Sequence, residues 1–235
     1  FPRYASGLEK FDGTPLYERQ NPAEAIHPFW GTLLYNYGSP MVKDFLISNA
    51  CFWAEVYHAD GLRMDDVDAM LYLDFGREAG QWTPNIYGSG ENLQALEFIK
   101  HLNSIVKKRN PGVLMIAQED GLWPQLTDSV ENDHPGFDYK WSGGWTRDLL
   151  TYMETEPVRR HEHYDQMTLS MMYAYSEHYV LTLGKRDVGT TAEFLEKLPG
   201  TLKEKNAQLR EAYAYLILHP GIKMTAPDSD IQPEL

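Results

Sequence analysis

Helical patterns alternate with short apolar runs along this chain, and that alternation restricts its fold more than any other feature of the sequence. Ser39-Pro40 supplies an N-cap and a first-turn proline, and Met41–Tyr57 follows with helical apolar spacing. Gly61–Val67 is short and β-compatible, and acids cluster at its end. Glu91–Lys108 predicts an amphipathic helix, with Leu93, Leu96, Ile99, Leu102 and Ile105 on one side. After the break at Pro111-Gly112, Val113–Ala117 is a continuous apolar run of the kind a buried parallel strand requires. Gln118–Lys140 reads as loop, and weaker helical patches lie near Trp145–Met153 and Gln166–Ser176. Tyr179–Leu183 predicts a buried strand, Lys203–His219 a helix closed by Pro220-Gly221, and Ile222–Thr225 a last short strand. Strands joined through helices imply an α/β fold with a parallel sheet, either doubly wound or closed as a barrel.

The turn formers Asp12-Gly13, Asn21-Pro22, His27-Pro28 and Gly38 predict a long ordered loop over Phe1–Gly38. Polar and charged residues follow the strands, at Asp65 and Asp66, Gln118 to Asp120, and Lys185 to Asp187. In parallel α/β folds the carboxyl ends of the strands are where active sites form, although loops are polar in any case. The formal charge of −13 argues against a nucleic-acid partner, which needs clustered Lys and Arg, and suits a neutral ligand. Aromatic residues make up 13% of the chain, a surplus that either sugar stacking or core packing would use. Cys51 is the single cysteine, inside an apolar run, and reads as a buried inert thiol. No apolar run approaches the ~20 residues of a membrane span. The start at Phe1-Pro2-Arg3, without a charged-then-apolar leader, suits a fragment or processed product, and a cytoplasmic location is the default expectation.

One run is far more specific. His58-Ala59-Asp60-Gly61-Leu62-Arg63-Met64-Asp65-Asp66-Val67-Asp68-Ala69-Met70-Leu71-Tyr72 resembles the fourth-strand motif of the glycogen (1,4-α-glucan) branching enzymes of the α-amylase superfamily. Upstream, Phe11-Asp12-Gly13-Thr14-Pro15-Leu16-Tyr17-Glu18 and Trp30-Gly31-Thr32-Leu33-Leu34-Tyr35-Asn36-Tyr37-Gly38 are similar to the same family. Downstream, Trp82-Thr83-Pro84-Asn85, Gly90-Glu91-Asn92-Leu93 and Gly136-Phe137-Asp138-Tyr139-Lys140-Trp141 are too. The resemblance implies an incomplete (β/α)8 TIM-type barrel. It would hold roughly strands four to eight, with the long loop 1–38 and a helix before them, as one partial catalytic domain over residues 1–235. Strands one to three and their substrate-binding His would then be missing, and the missing half-barrel, in the same chain or another, becomes an implied partner.

That family uses an Asp nucleophile, a Glu acid/base and a stabilising Asp. Retaining glycosyl transfer needs one carboxylate to attack the anomeric carbon and one protonated carboxyl on the leaving oxygen, roughly 5–5.5 Å apart. The covalent glucosyl-enzyme then passes its chain to a sugar 6-hydroxyl. By the resemblance Asp65 is the nucleophile, with Arg63 orienting it and keeping it ionised. A bare Arg–Asp ion pair at a strand end is the plainer alternative.

The other two acids are replaced. Family members read Ile-Ala-Glu-Glu or Ile-Ala-Glu-Asp where this chain reads Ile116-Ala117-Gln118-Glu119-Asp120, and Trp123-Pro124 fixes the register. Gln118 therefore stands at the acid/base position, and an amide cannot protonate a glycosidic oxygen. Glu119 is the one candidate substitute, but neighbouring side chains on a strand point to opposite faces. The family's Leu-Ser-His-Asp-Glu becomes Leu183-Gly184-Lys185-Arg186-Asp187. Lys185 then stands at a substrate-binding His and Arg186 at the stabilising Asp, where its charge opposes an oxocarbenium-like transition state. Asp187 could serve only if the loop shifted by one residue.

Trp82 and Trp123 are candidate sugar platforms, with packing the alternative for each. His161-Glu162-His163 reads as a solvated loop, and no metal or cofactor is expected. Two functions stay open. One is α-1,4-glucan branching with impaired catalysis, and the other is a glucan-binding or scaffolding pseudoenzyme.

Overall fold

The computed structural model describes residues 1–4, 9, 10, 12–121, 123–184 and 191–225. The chain divides into two compact units, one of Phe1–Ala117 with Gly121–Asp138, the other of Gln118–Asp120 and Tyr139 onward.

In the first unit, a four-residue helix α1 (Pro22–Ala25) and the isolated antiparallel bridges Glu18↔Tyr35 and Ile26↔Leu33 are the regular pieces described within the long N-terminal segment. Helix α2 (Pro40–Glu55) starts where expected, with extended Ser39 before it and Pro40 in its first turn, but the Ser39 side chain makes no capping hydrogen bond. It buries Val42, Ile47, Cys51 and Ala54, and burial pushes the Cys51 thiol pKa up, as an inert core thiol requires. Strand β1 (Gly61–Met64) is shorter than the sequence predicts. The chain leaves the strand before Val67, which instead opens a five-residue helix α3 (Val67–Leu71). The left-handed backbone of Asp66 (φ 54°, ψ 49°) makes that turn, a conformation Asp tolerates better than most side chains.

Helix α4 (Leu93–Arg109) is capped by the Asn92 side chain, which accepts the Ala95 N–H at 3.3 Å, and it ends in Lys107-Lys108-Arg109, where the helix dipole favours cations. Its buried face includes Ala95, Phe98, Ile99, Leu102 and Val106. Strand β2 (Leu114–Gln118) pairs parallel with β1 in the register Gly61↔Leu114 to Met64↔Ala117. A side chain at Gly61 would meet the Leu114 carbonyl at 3.2 Å, so glycine lets the two strands begin their pairing. Between the strands and the helices lie Val67, Leu71, Phe98, Ile99, Met115, Leu126 and Phe137, the core of this unit.

The second unit repeats the strand–helix pattern. Strand β3 (Tyr139–Trp141) lies at the end of a segment that reads as loop, because three residues are too few to show a period. It leads into α5 (Gly143–Glu154), a 3₁₀ turn at Pro157–His163 and α6 (Tyr164–Tyr173). Strand β4 (Tyr179–Thr182) pairs parallel with β3, and β5 (Ile222–Met224) pairs parallel with β4. Helix α7 (Thr191–Lys197), not predicted from sequence, and α8 (Leu202–Leu218) lie between β4 and β5. A capping box, with Thr201 and Glu204 exchanging hydrogen bonds, fixes the start of α8. Trp145, Leu149, Met153, Leu181, Leu183, Phe194 and Leu216 form the core of this unit. Parallel strands connected through helices are the repeat of a (β/α)8 barrel, of which this chain carries a part.

His219, just after α8, is buried beneath Trp145 and Tyr215. Its Nδ1 faces the Pro220 carbonyl at 2.9 Å and its Nε2 the Ser170 hydroxyl at 2.9 Å. A neutral ring donating from Nδ1 and accepting at Nε2 satisfies both. Burial holds its pKa below the ordinary value; the Pro220 carbonyl opposes that shift and Lys223 adds to it. Because the folded pKa is depressed, the unfolded chain takes up the proton more readily. Stability is therefore kept above the ordinary imidazole value of about 6.5 and lost as pH falls below it. The thermal midpoint should drop between about pH 7.5 and 5.5, and drop less in His219→Gln.

Candidate active site

In the first unit the end of β1 carries the candidate nucleophile. Arg63 Nε donates to Asp65 Oδ1 at 2.7 Å, and the two side chains are 20% and 43% exposed. The pair lies at a carboxyl end of a parallel strand, with the Asp65 carboxylate open to solvent and the guanidinium more enclosed. The guanidinium orients the carboxylate, the group that a nucleophilic attack on a sugar would use.

The turn after Asp65 is held by a residue that the sequence marks only as a turn former. His27, 2% exposed, places Nε2 at 2.6 Å from Asp66 Oδ2. Its Nδ1 accepts the backbone N–H of Phe29 at 3.3 Å and of Trp30 at 3.2 Å. Nδ1 therefore carries no proton, and Nε2–H donates to Asp66. The Trp30 ring stacks on the imidazole with centroids 4.5 Å apart and planes at 9°. Nothing in the spacing of His27 and Asp66, 39 residues apart, announces this contact.

In the second unit, Gln118 ends β2 with its side chain half-buried. Its Nε2 reaches Asp120 Oδ1 at 3.4 Å, a weak bond, and Asp120 also takes Arg147 Nη2 at 3.1 Å. A side chain on Gly143 would lie 2.4 Å from Asp120 Oδ1, so glycine at the start of α5 lets Asp120 take this position. Glu119 behaves differently from its neighbours. It is 1% exposed and forms an ion pair with Lys140 of β3, itself buried. A buried carboxylate engaged with a lysine is in a very different environment from the half-buried Gln118 beside it.

Of the aromatic candidates, Trp123 is only 9% exposed and packs in the core of the first unit, edge-to-face with Tyr72 at 5.2 Å. Its position is that of a core side chain, the packing alternative that the sequence left open. Trp82 is partly exposed in the loop before α4. Lys185, Arg186 and Asp187 lie outside the described residues. Among the described residues no three His, Cys, Asp or Glu side chains group as a metal site, and no helix is long and apolar enough to cross a membrane.

No protein-family model matches the chain. Curated relatives match nearly all of it. It is 46% identical over 232 residues to the 1,4-alpha-glucan branching enzyme of Thermobifida fusca, covering 98% of this chain and 31% of the relative. Over 225 residues it is 46% identical to the branching enzyme of Methylococcus capsulatus and 48% identical to one from Rhizobium etli, covering 95% of this chain and 30% and 31% of those relatives. The chain thus spans about a third of the length of the curated relatives it matches. Among solved structures, the α-amylase of Geobacillus thermoleovorans complexed with acarbose superposes with a TM-score of 0.53 at 15% identity, covering 86% of this chain and 39% of that one. That likeness shows the fold: part of an α-amylase-type barrel.

Proposed function

We propose that this chain, homologous over nearly its whole length to a stretch of the 1,4-alpha-glucan branching enzymes, carries the nucleophile segment of a glucan-transferring barrel whose turnover is impaired at Gln118 and Arg186. The observation that carries this reading is the Arg63–Asp65 pair, kept at the end of β1 while an amide stands at the end of β2.

In the full reaction Asp65 attacks the anomeric carbon of an α-1,4-linked residue and displaces the chain beyond it, leaving a glucosyl ester. The departing oxygen needs a proton as its bond breaks. Gln118 can only donate a hydrogen bond to it, and positioned acid/base catalysis is typically worth about 10²–10⁴-fold. The second step, in which a sugar 6-hydroxyl attacks the ester, needs the same group as a base, and an amide fails there too. By the resemblance Arg186 replaces the stabilising acid, and a positive charge there would oppose a cationic transition state.

The alternative, a glucan-binding pseudoenzyme, draws on the environment of Glu119. Rescue of catalysis would require Glu119 and Asp187 to take over the vacated roles, and Glu119 is buried against Lys140. Amylose is the substrate that separates the readings. We expect measurable glucan affinity with the iodine colour of amylose retained. Clear loss of colour that disappears in Asp65→Asn would show a competent acid and contradict the impairment. The remaining barrel strands are the partner this reading calls for, and its setting is cytoplasmic, consistent with a lone buried thiol.

A further inference from the structure

We propose that an open cleft of about 600 Å³ in the first unit, between the segment around Arg19 and Glu24 and the start of α4, is a second glucan-binding site whose lining does not include Arg63 or Asp65. The polyhydroxyl chemistry of the ligand follows from the lining, and its identity as an α-glucan rests on the branching-enzyme reading. The volume lies within the range of small-ligand sites, about 300–1,000 Å³.

The walls are held in place by their own hydrogen bonds. Asn85 donates to Ser89 Oγ at 2.8 Å and to the Glu91 carbonyl at 2.9 Å, while its Oδ1 accepts the N–H of Tyr87 and of Ser89. Glu24 Oε1 accepts from Asn21 at 3.1 Å and from Thr83 at 2.7 Å, which ties the loop before α4 to α1. A cleft with fixed walls loses little entropy on binding.

Other groups facing the cleft retain capacity for a ligand. The Arg19 side chain is only 18% exposed, and its ion pair with Glu24 is long, at 3.7 Å. A guanidinium has five N–H donors, and one long contact leaves most of them for a ligand. The Gln94 amide, in the first turn of α4, lies over Gly38 and has no hydrogen-bond partner among the described residues. Glu91 adds acceptors, and Ile86 offers an exposed apolar surface. Sugar hydroxyls donate and accept at once and carry no charge, so they match a lining that mixes amide, carboxylate and guanidinium groups. An anion would meet Glu24 and Glu91 beside the single Arg19.

Titration with maltoheptaose, followed by calorimetry, tests the assignment. Gln94→Ala is expected to bind roughly three- to tenfold more weakly than wild type. Arg19→Ala should show at least the same loss, but because Arg19 also steadies Glu24 the exposed Gln94 variant decides the matter. Absence of binding to wild type, binding that Gln94→Ala leaves unchanged, or Arg19-dependent binding of inorganic phosphate in its place would each overturn the proposal. Covalent labelling of Asp65 by an activated glucosyl fluoride reports on the catalytic reading separately. Either result can fail while the other stands.

Discussion

Gln118→Glu combined with Arg186→Asp is expected to raise the rate of glucan branching by about 10²–10⁴-fold or more over the unaltered chain, measured as loss of amylose–iodine colour. The two changes restore different things. The first returns a group that can protonate the leaving oxygen and later deprotonate the accepting 6-hydroxyl. The second removes a cation from a region where positive charge develops on the sugar and returns an acid that stabilises it. Each alone should fall short of the pair, since one lacks the proton donor and the other lacks the stabilising acid, and residues acting as a unit are not additive. A double variant as inactive as the parent would mean that the remaining barrel strands, rather than these two side chains, limit the reaction.

Lys140→Met should cost about 3–5 kcal/mol of stability, the usual penalty for removing one partner of a buried ion pair. Glu119 is 1% exposed, so its charge has little water to fall back on once the ammonium is gone. Adding Glu119→Gln should recover much of the loss, because an amide and a thioether bury at far lower cost than a lone carboxylate. Urea unfolding of the two single variants and the double variant completes the cycle. If Lys140→Met proves nearly neutral, the pair is not the buried support described above, and Glu119 becomes available for a catalytic role.

How far the sequence predicts these features depends on whether they are local. Helix α4 and strand β2 are legible because an apolar stripe, a break at Pro111-Gly112 and a continuous apolar run are each contained within a few residues. Helix α3 and strand β3 are not, since five and three residues are too short for a period, and α3 exists because Asp66 turns the chain with a left-handed backbone. At the candidate site, Arg63 in β1 and Asp65 just past its end stand two residues apart, and their pairing can be read directly. Glu119 lies just past the end of β2, and its burial against Lys140 is not something the strand pattern announces. The partners that settle the environments of Asp66 and Glu119 are distant in sequence. His27 comes from the long N-terminal segment and Lys140 from a strand read as loop, and only folding brings them to the carboxylates. Trp123 could be read either way from sequence, as sugar platform or packing, and in the fold it is core.

The central claim is a working nucleophile in a chain that lacks the acid, and a substrate that needs no acid tests it directly. Fluoride leaves an anomeric carbon with little help from a proton, so α-maltosyl fluoride bypasses Gln118 in the first step, while the second step still lacks its base. Peptide mapping by mass spectrometry after incubation should find a maltosyl ester on Asp65 that accumulates slowly, is absent in Asp65→Asn, and does not form from amylose. Rapid turnover of amylose by the unaltered chain, or an ester on any residue other than Asp65, would contradict the account.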